Sequence, residues 1–242
     1  MKTLRLRLGV SPSLQRPSGI SEWVKRSCDL CLALVLIGLL APLLLVCAVL
    51  VGRSSPGPVF YRGLRTGRYG IPFRIFKFRS MRTDAELVGG TTTGQNDPRI
   101  TPIGRILRKY KLDELPQLFN VLWGDMSFVG PRPEVAEYTD AYSAEERQIL
   151  AVRPGITDLA CLQFSDLQEH VGGEDPDRVY RERILPHKNA LRLKYAREHS
   201  LGLDLQILVR TAGLVLFRPF RRGAEKAAAP ADAPGHGISR AA

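Results

Sequence analysis

The chain has 242 residues, a formal net charge of +11, four cysteines and four histidines. That length holds one domain plus a membrane element, and the four cysteines are too few and too poorly spaced for a disulfide framework. The basic balance leaves three partner classes, namely nucleic acid, anionic lipid head groups and phosphorylated small substrates.

Residues 1–22 read as a basic arm, with Lys2, Arg5, Arg7 and Arg16. From Leu30 to Gly52 the chain then runs without a charge or a strongly polar side chain. A helix of that length reaches about 30 Å, the thickness of a bilayer's hydrocarbon. A soluble core helix keeps one polar stripe and this stretch has none. A secretory leader is excluded by its length, its late start and the lack of an A-x-A-like exit. Both flanks are basic: Lys25 and Arg26 before, Arg53, Arg62, Arg65 and Arg68 after. A single span would strand one cluster on the wrong face. Pro42, near the middle, removes the bond to the Gly38 carbonyl. The expectation for residues 23–53 is therefore a re-entrant helix-break-helix with both ends cytoplasmic. Lys25 and Arg26 would sit at head-group level, and Asp29 in the first helical turn, where the dipole favours a carboxylate.

Residues 54–220 form the expected cytoplasmic domain. Ser54 to Pro58 is a turn, and Val59–Arg62 and Phe73–Phe78 read as strands of a β-hairpin turning near Gly67–Gly70. Its density of Arg, Lys and aromatic residues suits a membrane interface or a phosphate-binding floor. Asp84 to Asp97 is a loop. Thr101-Pro102 opens a helix, with Ile103, Ile106, Leu107 and Tyr110 on one face. Asp113 caps the next, whose buried face is Leu115, Leu118, Phe119 and Leu122 and which Gly124 ends. Ser127 to Pro133 is extended. Ser143-x-x-Glu146 is a capping box, Asp175-Pro176 and Pro186 start further helices, and Leu201–Phe217 is a largely apolar helix suited to an interface. Residues 221–242 read as a disordered tail from their Ala, Pro and Gly content.

Asp113 and Glu114 are the sharpest chemical feature. Arg108, Lys109 and Lys111 precede them, and Arg132 and Arg153 follow. A carboxylate among cations is held ionised and can act as a nucleophile or a divalent-metal ligand, while the arginines would grip phosphate oxygens. No Walker A motif or kinase glycine loop is present. Cys28 and Cys31 lack the second ligand pair a zinc site needs.

Five segments resemble, in order, the bacterial sugar transferase family: KRSCDLCLALVLIGLLAPLLL, SSPGPVFYRGLRTG, FRIFKFRSMRTDAE, DPRITPIGRILRKYKLDELPQLFNVLWGDMSFVGPRP and VRPGITDLA. The resemblance spans Trp23 to Phe217 and implies an α+β, mainly helical, monotopic membrane protein on the cytoplasmic face of the bacterial inner membrane. It implies Asp113 as catalytic nucleophile and Glu114 as its partner, the two holding Mg²⁺. Arg108 and Arg132 fall on arginines expected to contact phosphate, and Pro131, Pro133, Arg153, Lys77 and Arg79 complete the expected substrate-binding set. The implied partners are a UDP-sugar donor, undecaprenyl phosphate as acceptor, membrane lipids and, in a homodimer, a second copy, with no nucleic acid. The alternative is a non-catalytic, membrane-tethered adaptor binding lipid or nucleic acid through its basic face. Two positions depart from the family pattern: Ala41 stands where serine is usual before the mid-membrane proline, and PGITDLACLQF (Pro154–Phe164) replaces a P-G-I-T-G-x-A-Q-V-N-G-R pattern.

Overall fold

The computed structural model describes residues 19–85, 97–164 and 176–228, with backbone alone for 19–20, 176 and 216–228. Most of the basic arm, the interior of the Asp84–Asp97 loop, Asp175 and residues 229–242 lie outside the described residues.

Helix α1 runs from Gly19 to Ser54. It is long and apolar enough to cross a membrane, and most of it is left uncovered by the rest of the chain. The two helices expected either side of Pro42 form one element. A proline removes a single bond, and the leucines around it are strong helix formers that carry the helix through. α1 also starts earlier than expected, so Glu22, not Asp29, occupies its first turn.

Both ends of α1 dock on the domain, the first through polar contacts. Lys25 Nζ donates to Asp204 Oδ2 at 2.6 Å and to the Val129 carbonyl at 3.1 Å. Arg26 donates to the carbonyls of Val121 and Leu122 at 2.6 and 3.0 Å. Asp29 Oδ1 accepts from the Phe128 N–H at 3.2 Å. These three side chains, expected at head-group level and at the helix dipole, instead satisfy backbone groups of the domain. At the other end, buried Cys47 and Val51 pack with Phe78 and Leu107.

The hairpin turns across Gly67–Gly70 as expected, but each arm is broken in two and the first runs past Arg62 to Thr66. Strand β1 (Phe60–Tyr61) pairs antiparallel with β4 (Lys77–Phe78), and β2 (Leu64–Thr66) with β3 (Pro72–Arg74). Helix α2 (Pro102–Lys109) is capped by Thr101, whose hydroxyl accepts from the Gly104 N–H at 2.9 Å. Its buried residues are Gly104 and Leu107, whereas Ile106 and Tyr110 are exposed. Gly104 is required there, since a Cβ would lie 1.9 Å from the Ser80 carbonyl oxygen.

Asp113 does not cap a helix. It lies inside a 3₁₀ turn, Leu112–Glu114, entered through Lys111 in the left-handed region (φ 58°). Helix α3 follows (Gln117–Trp123) and ends at Gly124, also left-handed at φ 91°. Its buried face carries Gln117 and Asn120 beside Leu118 and Val121, so it is more polar than the expected leucine face. Strand β5 (Ser127–Val129) then pairs in parallel with β6 (Gly155–Thr157). Gly130 and Gly155 let the two backbones touch, because a Cβ on Gly155 would meet the Gly130 nitrogen at 2.1 Å.

Helix α4 (Ala136–Thr139) follows β5 and lies against β2, and α5 (Leu159–Gln163) follows β6. The Ser143–Glu146 capping box forms, with both reciprocal bonds, but opens a 3₁₀ helix, Glu146–Ala151. α6 (Pro176–Val179) passes through a π turn, Tyr180–Ile184, into α7 (Leu185–Glu198). Pro186 falls in the first turn of α7, directly after the π turn. α8 (Leu201–Ala228) closes the described chain and carries helix through residues 221–228, the first part of the expected tail. The main core joins Ala33 of α1 to Phe73, Ile75, Leu118, Val121, Met126 and Phe128.

Candidate active site

The 3₁₀ turn before α3 places both carboxylates where three other elements converge. Glu114 Oε1 accepts from Lys77 of β4 at 3.0 Å and forms a short ion pair with Arg132, which follows β5. Arg132 also donates to the Ile156 carbonyl at 2.8 Å through Nη1. Arg108 of α2 is held by Ser80, its Nε donating to the hydroxyl at 2.8 Å.

The two carboxylates differ. Burial alone would raise the Glu114 pKa, but Arg132 and Lys77 outweigh it and hold this acid well below the usual range. Asp113 is also buried, and its Oδ1 has no hydrogen-bond partner. Burial and then the neighbouring Glu114 charge push its pKa up, against Lys77 and Arg108. The expectation that cations hold the pair ionised therefore applies to Glu114, while desolvation wins at Asp113.

An orphaned buried carboxylate oxygen suits a hard divalent cation. Mg²⁺ keeps several waters and takes one or two carboxylates together with substrate phosphate oxygens. The pair fits that donor set. Among the described residues no group of three or more His, Cys, Asp or Glu forms an all-protein cage.

Behind Arg132 lies a closed ionic network. Asp158 Oδ2 accepts from the Arg132 backbone N–H at 2.9 Å and from Arg192 Nε at 3.3 Å, while its other oxygen caps α5 at Cys161. Glu134 Oε1 accepts from Arg192 at 2.9 Å and from the Tyr180 hydroxyl at 2.6 Å. Asp158 and Arg192 are fully buried. Asp158 stands at a departure from the family pattern, and here it fixes the backbone of a residue at the site. Asn120 makes a similar brace on the other flank. Its carboxamide accepts from the Phe76 N–H at 2.8 Å and donates to the Arg74 carbonyl at 2.9 Å, tying the strand before Lys77 to α3.

Lys77, Arg132 and Arg108 thus surround the carboxylates, the first two by direct contact with Glu114 and the third through its charge. Arg79 lies elsewhere. Its guanidinium binds the carbonyls of Ser55 (2.6 Å), Pro56 and Val51, closing the C-terminal end of α1. Arg153 lines a cleft with Lys25, Tyr195, His199 and Asp204. Pro131 and Pro133 line a recess with Thr66, Glu134 and Tyr142, and the Pro131 carbonyl accepts from the Gly155 N–H. Sequence reasoning missed Asn120, Asp158, Arg192 and Glu134. The one signal available was Asn120, a polar residue on the core face of α3.

The fold thus joins a helix long and apolar enough to cross a membrane to a basic domain in which a carboxylate pair is set among cations of the kind that match phosphate. The bacterial sugar transferase family model matches residues 20–218, and the chain belongs to that family. The chain is 41% identical over 195 residues to a UDP-glucose:undecaprenyl-phosphate glucose-1-phosphate transferase of Caulobacter vibrioides, covering 79% of this chain and 69% of the relative. It is 40% identical over 202 residues to the exopolysaccharide production protein PSS of Rhizobium leguminosarum bv. phaseoli, covering 81% and 96%. It is 38% identical over 205 residues to a UDP-N-acetylgalactosamine-undecaprenyl-phosphate N-acetylgalactosaminephosphotransferase of Aeromonas hydrophila, covering 83% of this chain. The match spans 45% of that longer relative.

Proposed function

We propose that the chain transfers a phosphosugar from a UDP-sugar to undecaprenyl phosphate and releases UMP, the first step of a bacterial surface glycan. The observation that carries this reading is the contrast within the pair, with Glu114 engaged by Lys77 and Arg132 and Asp113 Oδ1 buried without a partner. A desolvated carboxylate oxygen, unblocked and beside phosphate-binding cations, is suited to nucleophilic attack.

Asp113 Oδ attacks the donor's β-phosphorus. An aspartyl O–P bond forms, the bond from that phosphorus to the bridging oxygen breaks, and UMP leaves with the oxygen. A phosphate oxygen of the acceptor then attacks the same phosphorus, and Asp113 leaves as a carboxylate. Arg132 and Lys77 stabilise charge on the transferring group from one side and Arg108 from the other. Asp113 and Glu114 are the residues that would hold Mg²⁺, which would offset charge on two anionic reactants.

The anchor fits this chemistry as a re-entrant helix on the cytoplasmic face. Lys25, Arg26 and Asp29 at one end of the apolar run and Ser55 and Pro56 beyond the other are all tied to one polar domain. A domain of that polarity cannot lie in hydrocarbon, so both ends belong at the same surface.

The test is the half-reaction. With donor alone, UMP is expected at about one equivalent per enzyme, together with a phosphosugar mass on the protein. Release that strictly requires undecaprenyl phosphate, with no adduct, would replace the covalent route by direct transfer. No release from any UDP-sugar would favour the adaptor.

A further inference from the structure

Between the start of α1 and the turn from α7 into α8 lies an open cleft of about 500 Å³. Glu22 and Lys25 line it from α1, Arg153 from the segment before β6, and His199, Leu201 and Asp204 from the end of α7 and the first turn of α8. Its acids are already matched. Asp204 pairs with Lys25 at 2.6 Å, and Glu22 with Arg68 at 2.5 Å. Arg153 is unmatched, because its guanidinium makes no hydrogen bond or ion pair among the described residues. Arg26 lies within reach of its charge and gives no relief, being a cation whose own N–H groups go to the Val121 and Leu122 carbonyls. The cleft therefore holds one positive charge more than its lining cancels.

The cleft lies where the anchor enters lipid. Lys25 stands a few residues before Leu30, where the uncharged run begins. Trp23, between Glu22 and Lys25, is exposed, as aromatic residues at the bilayer interface are. From the cleft an apolar stripe runs along α8. Leu201 lines the cleft, and Leu205 and Val209 follow at the spacing that keeps residues on one helix face, all three exposed. An unmatched cation continuing into an apolar stripe has the two-part chemistry of a lipid, a phosphate head and an acyl chain. The single leftover charge matches the single negative charge of a phosphodiester. The acceptor's phosphate has to meet the phosphorus held at Asp113, and no residue of that cluster lines this cleft.

We propose that the cleft binds an anionic phospholipid of the surrounding bilayer, with Arg153 holding the headgroup phosphodiester and Leu201, Leu205 and Val209 lying along an acyl chain. The site goes beyond the transfer reaction and rests only on the membrane-anchor part of the reading above. A guanidinium grips phosphate oxygens in a fork, which suits Arg153 to the headgroup. The bound lipid ties the α7–α8 side of the domain to the surface that α1 enters.

The experiment uses the full chain in neutral-detergent micelles, titrated with phosphatidylglycerol, phosphatidylcholine or inorganic phosphate, and reads the thermal midpoint. Phosphatidylglycerol should raise the midpoint saturably, and the other two should not. Arg153→Gln should move that titration about fivefold to higher concentration, the share of one arginine near an anionic surface, while Arg153→Lys should keep most of the effect. If Arg153→Gln does not fold, Leu205→Gln, at an exposed position, should weaken the same titration. Folded variants that titrate like the wild type overturn the proposal. An equal rise with inorganic phosphate would make this a site for soluble anions, and an equal rise with phosphatidylcholine would remove the charge selection; either overturns it. Undecaprenyl phosphate that competes with phosphatidylglycerol would assign the cleft to the acceptor and overturn it too. A chain that stays in solution without detergent or lipid overturns the anchor reading and this proposal with it. A membrane-bound chain indifferent to phosphatidylglycerol overturns the proposal alone.

Discussion

Glu134 and Asp158 on one side, and Asp113 and Glu114 on the other, belong to two buried ionic clusters that share Arg132. In the first, Arg192 joins both acids, the Tyr180 hydroxyl and the Arg132 and Cys161 N–H groups use the remaining capacity, and both acids sit below their usual pKa despite burial. In the second, Glu114 Oε1 is held by Lys77 and Arg132 while Asp113 keeps an unpartnered oxygen and a raised pKa. The comparison teaches that a network closed on itself holds a backbone in place, whereas one left open by a single oxygen has something still to bind. Arg132 transmits the order of the first cluster to the second, because its backbone N–H belongs to one and its guanidinium to the other.

The strongest way to break that contrast is Asp113→Asn. UMP release and the phosphosugar adduct should fall on the order of a thousandfold or more, since an amide of nearly the same shape is a poor nucleophile. The melting temperature should stay level or rise, because a desolvated charge without a partner is removed. A variant that keeps its chemistry and loses stability would place Asp113 in the closed class.

Asp158→Asn should do the reverse. It leaves Arg192 partly uncompensated in the interior, and about 3 kcal/mol of stability should be lost, read by thermal unfolding. pH sharpens the point. Glu134 and Asp158 have depressed folded pKa values, so their stabilisation is present above the unfolded carboxylate pKa and is lost as pH falls through the lower folded values. The wild-type melting temperature should therefore fall on acidification below about pH 4, and the variant should respond less. Equal slopes would remove Asp158 from the stabilising cluster.

Arg132→Lys tests the shared member. A lysine keeps the charge toward Glu114 and cannot also fork to the Ile156 carbonyl. Turnover should drop about tenfold, with a smaller loss of stability than Asp158→Asn. Wild-type turnover would disconnect the clusters. The smallest effect belongs to Thr101→Ala, which removes the α2 cap next to Ser80 and should cost about 1 kcal/mol of stability without changing kcat. A comparable fall in kcat would mean that general loosening, and not the open cluster, governs rate.

Local signals in the sequence were read correctly where a few neighbouring residues contain the whole cause. The hairpin across Gly67–Gly70, the Thr101 cap, the Gly124 stop and the Ser143–Glu146 box each close hydrogen bonds within about five residues, or pair strands across a short turn. The Asp113–Glu114 pair was legible because adjacent acids amid cations stand out in the chain. Of the expected leucine face of α3 only Leu118 is buried, because α3 is covered on more than one side and needs Asn120 to bind the strand leading to Lys77.

Composition and local order determined that this chain carries one long apolar helix, a basic domain and a carboxylate pair. Only the tertiary structure decided how each charge is used. Lys25, Arg26 and Arg79 look in sequence like groups for lipid or phosphate, yet packing presents them with carbonyls and Asp204, and there they bond. Glu134, Asp158 and Arg192 stand 24 and 34 residues apart in sequence, and no local pattern pairs them. The difference between Asp113 and Glu114 has the same origin. Neighbours in the chain share their local sequence, but desolvation and the reach of Lys77 and Arg132 depend on where the fold aims each side chain.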